Sequence, residues 1–424
     1  MTGINGMSAA KSIGNRPFIE DPYYSENGLL KLGYTHSKSF QIETFLNFDT
    51  FDYSFDNGAY TDSNINTGKQ NQIRIGVKPT YNYEKGNVFA IASFNKVKRE
   101  LFGNEYEGSS THIELVNRYQ FSTNLEVIAG ANYQKHSNQT NSPWGTINKD
   151  IANFNSIDFY SSVVYTTDFK LTLNAGVRLT KHSNYETHMV YHVNPSYNLF
   201  FSDAATIKLL TSYSTAFISP SLYQLFSVYG NQDLQPETNK TFEFGFESTY
   251  KDWFKFDAVY FDRVEREAIV FNNLSAAPWG KYGNALTTIK VKGVESTIVL
   301  KPLNKIKVNL GYTYTDKNAE SDYIPKNKLT SSIEYAPTTK AFISLVYKNV
   351  GERTGKYYDA SIFSTVEKQL PSYQLLDLNV NYKLANEIVT LFGSASNIFN
   401  EDYEETLGYN TKGRNIKLGI RLQF

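Results

Sequence analysis

The sequence predicts an all-β fold, a transmembrane up-and-down barrel of antiparallel strands. Three observations carry that prediction. Apolar and polar residues alternate singly over many segments, the connections between segments alternate short and long, and aromatics make up 15 % of the chain. The closing decapeptide shows the first most clearly: Ile416, Leu418, Ile420, Leu422 and Phe424 alternate with Asn415, Lys417, Gly419, Arg421 and Gln423. A two-residue period sends the first set to one sheet face and the second to the other. In a water-soluble sandwich the apolar face would meet a second sheet. In a barrel it meets lipid, and the polar face lines the lumen.

The same period recurs along the chain. Phe169, Leu171, Leu173, Ala175, Val177 and Leu179 alternate with Lys170, Thr172, Asn174, Gly176, Arg178 and Thr180. Ile306, Val308, Leu310, Tyr312 and Tyr314 repeat it, as do Leu376, Leu378, Val380 and Tyr382, and Phe242, Phe244 and Phe246. No helical period is found. Short turns are expected near 36–39, 83–87, 121–124, 166–169, 201–204, 250–253, 301–304, 336–340 and 383–388. Longer connections are expected near 49–70, 100–110, 137–154, 181–187, 216–239, 274–287, 316–327, 349–371 and 398–413. Hairpins in a barrel produce this alternation, with short turns on the periplasmic side and long loops outside. A Greek-key sandwich has no reason to. Nine turns and nine loops join 19 strands, and residues 1–12 could supply a twentieth.

Composition excludes several classes. The 424 residues contain no Cys, which removes disulfides and metal–thiolate sites. Forty-two acids balance 42 bases, so no electrostatic footprint for nucleic acid exists. No run of about 18 apolar residues could form a spanning helix. A mean hydropathy of −0.43 is still compatible with a barrel, because half of each strand faces a wet lumen. The 32 Tyr and 29 Phe suit strands and membrane interfaces. The start, MTGINGMSAAKS, lacks the charged and apolar regions of a secretory signal. An outer-membrane protein must carry one, so the expectation is a removed leader or a chain that begins inside a longer protein.

Three separated blocks resemble TonB-dependent outer-membrane receptors. Residues 215–247 read TAFISPSLYQLFSVYGNQDLQPETNKTFEFGFE, with the family's aromatic-x-x-Pro, Leu-Tyr-x-Leu, Asn-x-x-Leu-x-Pro-Glu and acidic strand. KGVES at 292–296, following Tyr282-Gly283-Asn284, resembles its Gly-Val-Glu strand. SNIFNEDYEETLGYNTKGRNIKLGIRLQF resembles its closing Asn-x-Phe, Tyr, Gly-Arg and terminal aromatic residue. The last block and the spacing of the first look most like the cobalamin-receptor branch. The resemblance implies uptake, across the bacterial outer membrane, of a metal chelate: cobalamin or a related corrinoid first, an iron-siderophore as the alternative. It implies no catalysis. The other rivals are a passive porin, a surface receptor that only binds, and a barrel lipase or protease for which no nucleophile elbow is present. Expected partners are membrane lipid, the chelate, TonB through a plug domain, and a surface lipoprotein. Family members have a plug and 22 strands. The expectation is therefore that residues 1–424 form one N-terminally incomplete barrel lacking the plug and the first strands, since unpaired strand edges in lipid cost several kcal/mol per group.

Most motif residues read as structural. Pro220 and Pro236 shape a large loop, Glu237, Glu243 and Glu295 face the polar interior or a turn, and Gly413 and Arg414 set the path into the last strand. For ligand contact the candidates are the long-loop aromatics Tyr223, Phe226, Tyr229, Trp279, Tyr282, Tyr357 and Tyr358, which offer rigid area with a polar handle. Loop 49–70 is rich in carboxylates. Calcium takes six to eight oxygens from such loops, and cobalamin receptors order neighbouring outer loops with it, so the resemblance points to Asp56 and Asp62, with Asp21 and Glu26 as looser partners. The histidines fit a metal poorly. His188 and His192 share a face but lie about 13–14 Å apart along a strand, and no His falls between Phe217 and Leu234, where haem receptors of the family place one.

Overall fold

In the computed structural model the alternation becomes one antiparallel sheet. The structure describes residues 2–4, 6–14, 17–143, 145–274, 279–318, 323–359, 361–362, 364–384 and 388–423. The first part of the sheet holds β1 (Thr2–Ile4), β2 (Tyr23–Thr35), β3 (Phe40–Ser54), β4 (Thr67–Tyr83), β5 (Gly86–Leu101), β6 (Asn104–Ser122) and β7 (Leu125–Ser142). Next come β8 (Gly145–Ile147), β9 (Asn153–Thr166), β10 (Leu171–His182), β11 (His188–Phe201), β12 (Ala205–Ile218), β13 (Glu237–Tyr250) and β14 (Phe254–Arg266). A side hairpin, β15 (Ile269–Asn273) and β16 (Gly280–Asn284), leads to β17 (Ile289–Leu303), β18 (Ile306–Lys317), β19 (Asn327–Tyr335) and β20 (Ala341–Val350). A second side hairpin, β21 (Arg353–Asp359) and β22 (Ser364–Leu370), precedes β23 (Tyr373–Leu384), β24 (Val389–Ser396) and β25 (Asn415–Leu422). Among the described residues the main sheet has 21 strands; without the three-residue β1 and β8, nineteen form the wall. Those are the nineteen expected, and β1, paired with β2 at Tyr23–Ser25, is the start of a twentieth.

Register carries the apolar residues of many strands onto one face. Leu418, Gly393, Val380, Ile343, Tyr335 and Ile306 are successive partners across six strands. On the far side Phe244, Tyr260, Val294 and Tyr314 do the same. This face is bare: Leu418 is 80 % exposed, Phe159 62 % and Phe244 50 %. Among the described residues no second layer covers it, so the sandwich reading fails and a lipid-facing wall remains. Exposed Tyr81, Phe121, Tyr165, Tyr250, Trp253, Tyr335 and Tyr382 sit at or next to the short turns, where an aromatic belt meets the membrane interface. The opposite face pairs charges, as in Arg74–Asp49 at 3.1 Å and Lys255–Asp257 at 3.0 Å.

All nine short turns fall within a few residues of the expected positions, at 36–39, 84–85, 123–124, 167–170, 202–204, 251–253, 304–305, 336–340 and 385–388. Of the last, 385–387 lie outside the described residues, as does the terminal Phe424. The long side needs three corrections. The loop expected at 100–110 is a two-residue hairpin, with Leu101 opposite Asn104. Its central residues Phe102 (φ 51°) and Gly103 (φ 72°) both have positive φ, as a type I′ turn requires. For the same reason loop 49–70 shrinks to 55–66, because β3 and β4 run on past their apolar stretches. One short helix was also not expected, α1 (Leu222–Phe226).

The sheet curls so that its two ends meet at the long-loop side. Residues ahead of β2 bond to the loop ahead of β25: Lys11 N donates to Gly408 O at 2.8 Å, Asn410 N donates to Ala9 O at 2.8 Å, and Ala10 bridges Tyr409. Burial follows from this shape. Of the four largest fully buried side chains, Leu234, Leu407 and Pro220 belong to long loops and only Asp158 to the wall.

Candidate functional site: the knotted outer mouth

The long loops are held by side-chain to backbone bonds, and the motif residues make many of them. In loop 219–236, Ser221 caps α1. Its Oγ accepts from Gln224 N at 3.2 Å, and Gln224 Oε1 accepts from Ser221 N at 2.8 Å. This Ser-x-x-Gln capping box was the sequence signal for the helix. Leu222, Leu225 and Leu234 are buried beneath it. The loop is then clamped to the β15–β16 hairpin. Asn231 Nδ2 donates to Tyr282 O at 3.1 Å, Tyr282 N donates to Tyr229 O at 3.0 Å, and Asn284 Nδ2 donates to Gln235 O at 2.9 Å. Glu237 accepts from Ile269 N at 2.7 Å. The Asn-x-x-Leu-x-Pro-Glu and Tyr-Gly-Asn motifs are thus two sides of one clamp.

That clamp positions aromatic rings. Tyr229 lies 5.5 Å from Phe271, Phe271 5.2 Å from Tyr282, and Tyr282 6.2 Å from Tyr223, all edge to face. Three of the seven expected aromatics therefore share a cluster with Phe271, which was not expected. Phe271 sits in a five-residue strand whose hairpin partner cannot be read from spacing. Tyr223 and Tyr229 also line a cleft of about 230 Å³ with Tyr106 of β6 and Ile147 of β8. Phe226 is half-buried, and Trp279 is 62 % exposed at the hairpin end, outside the ring contacts.

Tyr357 belongs to a second cluster. It packs on Tyr60 at 5.2 Å, and the Tyr60 hydroxyl donates to Glu404 at 3.2 Å. Burial and the Glu404 carboxylate push the Tyr60 phenol up to about 12. Nearby, Arg353 is buried with its guanidinium 4.9 Å from the Tyr373 ring, and Tyr373 stacks on Tyr403 at 4.3 Å. Tyr358 points away, 57 % exposed. The closing motif knots this side. Asn397 Oδ1 accepts from Glu401 N at 2.9 Å, and Arg414 Nε donates to Ile398 O at 2.9 Å. Asn273 to Thr365, 3.1 Å, joins the two hairpins.

Three of the four carboxylates expected at calcium converge. Asp56 is buried and accepts from Ser8 Oγ (3.0 Å), Ala10 N (2.6 Å) and Ser63 N (3.1 Å). Asp21 accepts from Ala9 N at 2.7 Å, and Asp62 from Ile19 N at 3.3 Å. Burial and the charges of Asp56 and Asp62 push the Asp21 carboxyl up, against the pull of the Ala9 N–H. Glu26 stands on β2 and takes the Tyr24 hydroxyl at 2.6 Å. Among the described residues no three His, Cys, Asp or Glu side chains are placed to share one metal ion.

A lipid-facing wall closed outside by interlocked aromatic loops defines an outer-membrane receptor barrel. The family model for the TonB dependent receptor-like β-barrel matches residues 3–398, and the chain belongs to that family of outer-membrane transport receptors. Solved structures share the fold. The ferric enterobactin receptor of Pseudomonas aeruginosa, in a mutant form, is 15 % identical at a TM-score of 0.78, over 99 % of this chain and 72 % of that one. A siderophore receptor of Acinetobacter baumannii is 14 % identical at 0.78, over 99 % and 72 %. A copper transporter is 13 % identical at 0.77, over 95 % and 72 %.

Proposed function

We propose that the chain captures a ferric siderophore at its outer mouth for TonB-driven uptake. The observation that carries this is the Tyr223, Tyr229, Phe271 and Tyr282 cluster, held by the motif clamp, with Tyr223 and Tyr229 lining a cleft shared with Tyr106. Fixed edge-to-face rings offer flat apolar area with hydroxyl handles at little entropic cost. That suits a chelate whose metal is wrapped in aromatic or carbonyl groups. The relatives include receptors for ferric enterobactin and other siderophores, which supports the same class. Cobalamin is the second reading, favoured by the closing motif and the spacing of the first block. Titrating the purified chain with a ferric tris-catecholate and with cyanocobalamin separates them. Saturable binding of the first, weakened about tenfold by Tyr282→Ala, is expected, since an anchoring aromatic contributes about 1–2 kcal/mol. Binding of cyanocobalamin alone selects the second reading, and no binding of either removes both.

Calcium is a separate proposal, drawn from the resemblance to cobalamin receptors. A divalent cation beside Asp21 and Asp62 would offset the crowding that raises Asp21, while Asp56, already accepting three donors, serves as a structural anchor. Its protein ligands would be Asp21 and Asp62, with other oxygens from the loops. Calcium is expected to slow proteolysis of residues 55–66, and equal digestion with and without the ion would discard it. Asp56→Ala should expose residues 8–11 to protease in either condition, because three hydrogen bonds are lost.

A further inference from the structure

We infer that a cleft between β11 and β12 on the outer wall holds a phosphorylated membrane lipid of the outer leaflet. The two strands pair from Thr206–Phe201 up to Ser214–His192 and then part. Above that point β11 continues to His188 against β10, and β12 continues to Ile218 against β13. In place of a backbone ladder, the Thr215 hydroxyl takes the Tyr191 N–H at 3.0 Å, and the His188 ring stacks on Phe217 at 3.9 Å. The opening is about 670 Å³.

Its position and chemistry select the occupant. The floor is Tyr191, Tyr213, Phe242 and Tyr260, which continue the lipid-facing stripe. Two residues before Phe242 on β13, toward the long-loop end and so at headgroup depth, comes Lys240, with Arg266 also lining the opening. Both are exposed, and neither takes part in an ion pair among the described residues. The one acid in the lining is Asp262; its register partner Lys292 pairs with Asp316 at 3.9 Å, so the opening carries two cations against one acid. An apolar slot open to the bilayer under two free cations fits acyl chains below and a phosphate above.

The test is native mass spectrometry of the full chain from detergent micelles carrying dioleoyl phosphatidic acid, dioleoylglycerol, or inorganic phosphate alone. Phosphatidic acid should be retained about tenfold or more over dioleoylglycerol, as two interfacial cations imply. The Lys240→Gln/Arg266→Gln double variant should lose that preference, while Lys135→Gln on another strand keeps it. Folding of each variant is read from heat-modifiable gel mobility. Equal retention of the two lipids by the unaltered chain overturns the inference even if a variant misfolds. So does displacement of phosphatidic acid by inorganic phosphate, or an unchanged preference in the double variant.

Discussion

Phe244→Arg is expected to destabilise the barrel in a bilayer by about 2–4 kcal/mol, the cost of a cation on the lipid face near the midplane. Glu243→Arg, one residue away, should cost less than about 1 kcal/mol because that side chain meets water and polar neighbours. The asymmetry follows from register alone. Phe244 is 50 % exposed and sits between Thr211 and Tyr260 on the apolar face, whereas Glu243 lies between Ser212 and Phe261 on the other. Denaturant unfolding from phospholipid vesicles measures both. Similar losses for the two would mean that β13 has no lipid side.

Asp158→Ala is expected to cost about 3 kcal/mol, because it strands several donors at once. Asp158 is 1 % exposed and accepts from Arg178 at 2.5 Å, Thr180 at 2.5 Å and Asn132 at 3.1 Å. Asn132 is itself buried and its Oδ1 already lacks a partner, so losing Asp158 leaves the whole amide unsatisfied. The Arg178 side chain is 41 % exposed and can turn to water, which keeps the loss below that of a fully enclosed pair. Asp158→Asn should recover about half by keeping an acceptor in place. A loss under about 1 kcal/mol for the alanine variant would show that the Asp158 network does not brace β7, β9 and β10.

The membrane-crossing part of the fold was legible because lipid enforces the two-residue period there. Leu171 to Leu179 and Ile416 to Leu422 declare their faces without help from any neighbour. Beyond the bilayer that enforcement ends. Lys96, Lys98 and Glu100 continue the outward positions of β5 but are polar, so a strand reads like a loop and the Phe102–Gly103 hairpin was placed as a long connection. The mouth was legible in composition and not in pairing. Tyr223, Tyr229 and Tyr282 were picked out as loop aromatics, yet their meeting with Phe271 depends on Asn231 and Asn284 bonding backbone groups about 50 residues away. Nothing in local spacing encodes that contact. The carboxylates show the same limit. Asp21, Asp56 and Asp62 could be named, but not that Asp56 would be occupied by Ser8 and Ala10.

The central claim is that alternate side chains of each wall strand face hydrocarbon. The chain has no Cys, so single cysteines report without background. Placed one at a time at 241, 242, 243, 244, 246 and 247 of β13 in intact vesicles, they can be challenged with a charged, membrane-impermeant maleimide. Cysteines at 241, 243 and 247 should label, and those at 242, 244 and 246 should stay silent until detergent dissolves the bilayer. Equal labelling at all six positions would contradict the barrel.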